Sequence, residues 1–441
     1  MSEQILDSLE PIVALAKRRG FVFQSSEIYG GLLSCYDYGP LGAELKRNIK
    51  DAWWDFTVTA RENVVGLDAS IIMHPKVWEA SGHVAGFTDP LIECAKCQLR
   101  MREDHLDENT PKCKANKGGE HEWGAPRMFN LMFKTNLGPV EDTASTVYLR
   151  PETAQGIFVN FNNVINSTRV KVPFGIAQQG KSFRNEITTR HFTFRMCEFE
   201  QMEMEFFCKP GEDEKWYEYW KSERMRWFTD LGVRADRLRF RDHAQDELAH
   251  YSTACVDIEY HFPFGWSELE GIACRTNFDL TKHAEHSGKK LVWKDQVSGE
   301  EFVPHVIEPA LGTDRTLLTV LVDAYAEEEI EGNKRTVLKF HPKLAPTKIA
   351  VFPLLRKDGH PEKAREVFDM LKNSYACTYD EQANIGKRYR RQDEVGTPLC
   401  VTIDHDTLED NTVTVRDRDS LEQERVSIDQ LRNYIFDKFG F

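Results

Sequence analysis

Apolar residues recur at every fourth position in Leu41, Leu45, Ile49 and Trp53, directly after Gly39-Pro40. That period, with proline at the opening position, predicts a helix. An earlier helix is expected from about Glu3 to Arg19, and strand-like sequence follows from Val64 to Met73, stopped by Pro75. From Cys94 to Gly138 the chain turns polar, which predicts an insertion outside the main core, about residues 91–145. Strand patterns return between Val147 and Phe207, and a helix is expected from Glu212 to Leu231, carrying Trp216, Tyr217, Trp220 and Trp227. The segment Cys255 to Leu280 alternates apolar and polar residues, with breaks at Pro263 and Gly265, and Thr313 to Tyr325 is an amphipathic helix. The polar stretch Glu327 to Arg335 reads as a linker region. Beyond about Lys339, short strands (IAVFPLL, CVTI, TVTVR) alternate with helices at Glu362 to Ser374 and Ser427 to Phe436, the pattern of a small α/β domain.

One stretch breaks the pattern. From Phe183 to Phe207, two strand-like segments flank a polar turn at Thr188 to Thr193. Strand alternation sorts the second segment into two faces. One carries Phe194, Met196, Met202, Met204 and Phe206, with Glu198 and Glu200 among them; the other carries Arg195, Phe199, Gln201, Glu203 and Glu205. Ionic groups along a segment otherwise fit for a core need partners, and a bound charged ligand is one candidate.

A chain of 441 residues exceeds one typical core, so two or more domains are expected. No run of about 18 apolar residues exists, and MSEQILDSLE is unlike a signal peptide, so no membrane association and a cytoplasmic location are expected. A net charge of -14 argues against coating nucleic acid through bulk electrostatics, while leaving room for a local basic footprint. Ten scattered cysteines fit reduced thiols better than a disulfide framework.

Seven segments then fall in a recognisable order: YDYGPLGAELK, GLDASIIMHPKVWEASGHVAGFTDP, LRPETAQGIF, FRNE with CEFEQME, YHFPFGWSELEGIACRTNFDL, VIEPALGTDR and IGKRYRRQDEVGTP. Over nearly its whole length the chain resembles the homodimeric, class II glycyl-tRNA synthetases. The resemblance implies an α+β fold: a class II catalytic domain over residues 1–338, built on an antiparallel sheet with helices, then a C-terminal α/β anticodon-binding domain over 339–441. The early helix and the strand before Pro75 match the motif that forms the dimer interface in this class.

Activating a carboxylic acid with ATP brings two anions together, so the site must supply cations. Arg184 sits on the strand entering the turn, and Arg315 opens a helix after a glycine, where backbone donors also favour phosphate. By resemblance, Arg184 holds the α-phosphate and the amino-acid carboxylate, and Arg315 contacts the γ-phosphate; a structural ion pair is the other reading of each. The family uses Phe199 as the floor under adenine, with Arg315 above it, and Arg195 lines the pocket near the triphosphate. The expected ATP site comprises Arg184, Asn185, Glu186, Phe194, Arg195, Phe199, Glu268, Leu269, Gly312 and Arg315, of which Arg184, Glu186 and Arg315 are the catalytic candidates. Carboxylates beside phosphates make sense through a divalent cation, so Mg²⁺ is implied at Glu268 and Glu308. Glu270, of the same strand parity as Glu268, is taken as a solvated neighbour.

Glycine offers no side chain to grip. Rejecting one extra methyl in an open pocket is worth only about 1 to 3 kcal/mol, so the pocket must be small. Carboxylates clamped around the ammonium group would fix the charge and fill the space of a Cβ. Glu152, Glu203 and Glu308 match the acidic residues the family uses for this, with Arg102, Phe199, Gln201 and Gly312 completing the expected glycine site. Many relatives read EPS where this chain has EPA, so Ala310 replaces a hydroxyl that can touch the amine.

Cys94-x2-Cys97 followed by Cys113 and His121 has partial zinc-knuckle spacing, compatible with bound zinc and equally with an insertion that has lost its metal. Arg100 and Arg102 align loosely with an arginine near the substrate in relatives, or form a solvated basic turn. In the last domain, Lys387, Arg388, Arg390 and Arg391 surround Tyr389, which suits a single RNA strand through phosphate contacts and stacking, or a helix's solvated face. The expected reaction joins glycine to its cognate tRNA through a glycyl-adenylate. A non-catalytic nucleic-acid-binding relative, expected to lack the arginines, and a ligase for another amino acid are the rivals. Glu198, Glu200 and Glu205 are left without a role.

Overall fold

The computed structural model describes residues 6–106, 110–139, 145–187, 191–249, 251–295, 297–330 and 332–441. Residues 3–5 of the expected first helix and 188–190 of the expected turn lie outside the described residues. In chain order the elements that position the site are α1 (Glu10–Arg19), α2 (Pro40–Trp54), β1 (Val64–Gly66), α3 (Ala154–Val159), β2 (Phe174–Phe183), β3 (Glu198–Cys208) and α4 (Asp213–Asp230). They continue with β4 (Leu238–Asp242), β5 (Ala254–Phe262), β6 (Gly265–Thr276), α5 (Phe278–Ser287), β7 (His305–Gly312) and α6 (Thr313–Ala324).

The seven strands form one sheet in the order β4-β5-β6-β7-β3-β2-β1, antiparallel except for the parallel β1–β2 pair. Helix α2 begins at Pro40 and buries Leu45, Ile49 and Trp53, as its period requires. Gly42 lets the helix lie against the Phe21 carbonyl, where a Cβ would clash. Helices α2, α4 and α6 cover one face of the sheet: Trp53, Trp220, Leu317 and Leu321 share a core with Met202, Met204, Phe206 and Ile307. On the other face, Ile157, Phe158, Ile176, Phe207 and Leu280 form a second core. Strand alternation in β3 therefore sends the even-numbered residues to the main core and the odd-numbered ones to the face that carries the cleft.

A three-stranded sheet of Thr88–Glu93, Arg100–Arg102 and Arg127–Asn130 forms the body of the insertion. After α6, Tyr325–Ile330 pairs with Asn333–Leu338 as an antiparallel hairpin, which corrects the linker reading of Glu327 to Arg335. Arg335 is buried there, donating to Asp393 at 2.9 Å and Glu328 at 2.7 Å, so the charged run anchors the last domain instead of spacing it. That domain is a five-stranded mixed sheet holding Ile349–Pro353 and Leu399–Ile403 in parallel, with the helices His360–Leu371, Ile385–Val395 and Leu431–Phe439 packed on it.

Other boundaries shift. Of the expected Val64 to Met73 strand, Val64–Gly66 joins the sheet and Ile72 makes an isolated bridge to Leu149, α1 starts at Glu10, and Phe192–Phe194 is a 3-10 turn, so β3 begins at Glu198. Among the described residues no helix is long and apolar enough to cross a membrane.

Candidate active site

The cleft-facing side of β3, β5, β6 and β7 opens into a cavity of about 310 Å³. Glu152, Glu203 and Glu308 line it together with Arg184, Glu186, Arg195 and Arg315, and so do Phe194, Phe199, Gln201, Glu268 and Gly312. Register explains the convergence: Gln201 lies opposite Gly312 and Glu203 opposite Ala310 across β3 and β7. Ala310 is thus the cross-strand neighbour of Glu203.

At one end the cavity is cationic. Arg184 is steadied by donating from Nε to the Pro151 carbonyl at 3.0 Å, and its guanidinium lies 5.2 Å from the Phe199 ring centroid. Arg195 donates to Glu186 at 2.8 Å. Arg315, in the first turn of α6, donates to the carbonyls of Phe194 and Glu268 at 3.1 and 3.2 Å and pairs with the Glu268 carboxylate at 3.1 Å. Its guanidinium lies over Phe194, 4.5 Å from the centroid. The guanidinium nearest the Phe199 ring is that of Arg184, and Phe199 and Arg315 both line the cavity. Helix α6 is itself anchored through Asp314, which accepts from Lys46 at 2.8 Å and from the Glu200 amide at 2.6 Å. Glu200 pairs in turn with Lys46 and Lys50 of α2, and Glu198 pairs with Lys181 at the surface. Two of the three unassigned glutamates therefore have ordinary partners.

The other end is anionic and closed. Glu203 is 1% exposed and accepts from Thr153 Oγ1. Arg275 donates from Nη1 to both oxygens of Glu308 at 2.9 Å, and from Nε and Nη2 to Asp279 at 2.8 and 2.9 Å. Glu152 accepts from Gln155 at 3.0 Å and lies 3.3 Å from His83 Nε2. Burial would raise the Glu152 carboxyl, but His83 and then Arg275 outweigh it and hold the group well below the usual carboxylate range. Burial, then the neighbouring carboxylates, push Glu203 well above that range, so Glu203 and Glu308 retain a proton between them. A cation entering here would displace that proton. Gln201 accepts from Ser182 Oγ at 2.6 Å, which fixes its amide in the wall.

Some expected residues lie elsewhere. Asn185 is held through its backbone amide by the Leu131 carbonyl at 2.8 Å and is outside the cavity lining. Leu269 buries its side chain in the main core. Arg102 is held by Asp89 at 2.8 Å and by Asp104, away from the lining. Arg275 engages both oxygens of Glu308, and the ligand atoms of Glu203, Glu205 and Glu308 lie within 4.8 Å of one another. Glu270 is fully buried against Arg224 at 2.6 Å, not solvated.

The cavity also contains residues that sequence reasoning missed. His243 Nε2 lies 2.8 Å from Asp257 beside Cys255, and Tyr251 stacks on Arg275 at 4.0 Å. The parity of Cys255 and Asp257 along β5 was a usable signal, as was an arginine in the apolar run before Asp279.

In the insertion, the ligand atoms of Cys94, Cys97, Cys113 and His121 lie within 4.8 Å of one another. Cys94 and Cys113 sulfurs are 3.9 Å apart, and Cys97 Sγ is 3.5 Å from His121 Nδ1. Tetrahedral zinc with Zn–S bonds of about 2.3 Å needs sulfurs roughly 3.8 Å apart, so the four groups fit.

The basic helix of the last domain divides. Arg388 is buried, donating to the carbonyls of Ala383 and Pro353, and Tyr389 bonds Thr402 at 2.7 Å. Both belong to the domain's interior, which corrects their expected RNA contact. The helix turns one face to the sheet, so alternate basic residues cannot all reach solvent. Lys387 is exposed, Arg390 donates to the Lys334 carbonyl at 2.7 Å, and Arg391 pairs with Asp380.

The mostly antiparallel sheet, whose cleft holds three guanidinium groups beside buried carboxylates, carries a class II aminoacyl-tRNA synthetase core. Residues 133–324 match the family described as "tRNA synthetase class II core domain (G, H, P, S and T)", and residues 348–438 match "Anticodon binding domain". The chain is 56% identical over 428 residues to "Glycine--tRNA ligase" of Treponema denticola, covering 95% of this chain and 94% of that protein. It is also 54% identical to "Glycine--tRNA ligase" of Clostridium tetani and 52% identical to that of Caldanaerobacter subterraneus subsp. tengcongensis, each covering 98% of this chain and 99% of the relative. The chain belongs to the glycine–tRNA ligase family.

Proposed function

We propose that the protein activates glycine with ATP and passes the glycyl group from the adenylate to the 3′-terminal ribose of tRNA. The observation that carries this reading is the convergence of Glu152, Glu203 and Glu308 on one closed end of a cleft whose other end holds Arg184 and Arg315. Carboxylates at the closed end bind the ammonium and occupy the room a Cβ would need. Arg184 then orients the glycine carboxylate toward the α-phosphate for in-line attack, and Arg315 neutralises the departing pyrophosphate. Phe199 and Phe194, each under a guanidinium, offer faces for the adenine ring. Where Mg²⁺ accompanies ATP, Glu268 and Glu308 would hold it, and the ion would screen phosphate charge. No side chain is assigned as general base for the transfer step.

The catalytic unit is assigned to residues 1–338 and the anticodon-binding unit to 339–441, with Lys387 the exposed contact for RNA. Cys94, Cys97, Cys113 and His121 are assigned to zinc. A homodimer is supported by Ile28, Tyr29 and Leu33, which are 88%, 87% and 82% exposed. Ten free cysteines support a reducing, cytoplasmic setting.

The test is amino-acid-dependent exchange between ATP and pyrophosphate across all twenty amino acids. Glycine alone should stimulate it. Stimulation by another amino acid would move the specificity, and none at all would favour a binding protein.

A further inference from the structure

Glu205 is the glutamate left without a partner. It is fully buried, and neither carboxyl oxygen has a hydrogen-bond partner. It does not line the cavity, so it does not meet a ligand there. The register that pairs Glu203 with Ala310 and Phe206 with Ile307 sets Glu205 opposite Glu308 on the same face of the sheet. Carboxylate oxygens of Glu203, Glu205 and Glu308 all lie within 4.8 Å of one another.

The groups facing it are few. On its own strand there is Glu203, on β7 Glu308, on β6 Arg275 and on α5 Asp279. From β2 the Gln178 amide, itself buried and unpartnered, lies opposite Glu203. Arg275 supplies one positive charge, and Glu308 and Asp279 already share it. No cation remains for a further carboxylate. An ionised Glu205 would be a third negative charge beside one guanidinium, fully buried and with no hydrogen-bond donor on either oxygen, which a buried site does not tolerate. A neutral acid in the same place has a hydroxyl to give, and the Glu203 and Glu308 oxygens within 4.8 Å are the acceptors a small side-chain rotation would bring to it.

Building on the glycine reading above, we infer that Glu205 is a permanently protonated positioning residue, whose hydroxyl donates to the Glu203–Glu308 pair from beneath. This leaves the upper carboxylates ionised and fixed where the ammonium group lands. It differs from the proton the empty pair retains, which leaves when the ammonium arrives. Burial first, and then Glu308, push the Glu205 carboxyl well above the ordinary range, in agreement with the geometry.

The experiment compares E205Q, E205A and E203Q in glycine-dependent ATP–pyrophosphate exchange, and records the infrared difference spectrum of the native protein against E205Q at mildly alkaline pH. Glutamine keeps the shape and a donor, so E205Q should hold the glycine KM within about twofold, whereas E205A should raise it about tenfold or more, the size of one lost hydrogen bond to a charged group. E203Q removes a contacting charge and should also raise KM at least about tenfold. The native-minus-E205Q difference spectrum should show the carbonyl stretch of one protonated carboxylic acid beyond the proton held by the Glu203–Glu308 pair. A glycine KM for E205Q as high as that for E203Q, or the absence of that band from the difference spectrum, would overturn the inference. Should E203Q leave KM unchanged, the ammonium clamp would fail instead, while the infrared band would still decide the protonation of Glu205. If E205A does not fold, E205Q and the band decide.

Discussion

Arg275 grips Glu308 through a single nitrogen, with Nη1 2.9 Å from both carboxylate oxygens, and spends its other two nitrogens on Asp279. One buried cation thereby sets the position of a proposed glycine ligand. Arg275→Gln removes the charge and leaves Glu308 and Asp279 uncompensated, so unfolding stability should fall by about 3–5 kcal/mol. In urea denaturation the midpoint should move accordingly, and the glycine KM of the folded fraction should rise while the ATP KM changes little. Equal changes in both KM values would show that Arg275 supports the whole cleft and not the glycine end.

Arg184 is held differently. Its Nε donates to one backbone carbonyl, and the remaining guanidinium faces the cavity over Phe199. Arg184→Ala should therefore lower exchange by roughly 10²–10³-fold, the usual effect of removing one transition-state donor. Thermal unfolding should barely move. An unfolded variant would mean that the arginine is a structural tie.

Strand parity made much of this site legible. Gln201 and Glu203 face the cleft because Met202 and Met204 face the core, and that alternation is written in the sequence. Parity misled where strands bulge. The pairing of β5 with β6 slips between Ile258 and Glu259, so Glu259 faces Glu268 while Ile258 faces Glu270. Leu269 is the extra residue, which turns Glu270 away from Glu268 and into the core beside Arg224. A second slip on β6, between Cys274 and Thr276 against β7, sits at Arg275. No period in the sequence announces a bulge, and the partner of a buried charge lies far along the chain: Arg224 and Glu270 are 46 residues apart. The basic run at 387–391 divides for a related reason, since composition does not say which side of a helix meets a sheet.

Asp257 gives the cleft a pH signature. Burial first, and then the nearby Glu268, raise its carboxyl from 3.8 to about 6, although His243 and Arg241 oppose the shift. A raised folded value means that the neutral acid suits the fold, so its contribution to stability is full below about 4 and is lost as pH rises through about 6. At about 1.36 kcal/mol per unit, the loss approaches roughly 3 kcal/mol. Asp257→Asn cannot ionise and should escape it. Relative to the native protein, the variant should gain stability between pH 4 and 6 and hold a constant advantage above that. A difference independent of pH would show that Asp257 does not titrate in this range.

The insertion makes a prediction about metal content. Cys94 and Cys113 are fully buried on facing turns, and Cys97 and His121 close the group from the rim. Burial raises the Cys94 thiol, but the Cys97 amide and the His121 ring outweigh it and bring the group to about 6, so one ligand is largely thiolate at neutral pH. His121 Nε2 lies 2.5 Å from the Pro111 carbonyl, which fixes the ring with Nδ1 facing the sulfurs. Purified protein should carry about one zinc per chain, and Cys113→Ser should lose it. Because the four ligands join the turns at 94–97 to the segment at 113–121, chelation should open that region to protease while glycine-dependent exchange persists, since none of the four lines the cleft. Native protein free of metal and equally resistant with and without chelator would count against the site.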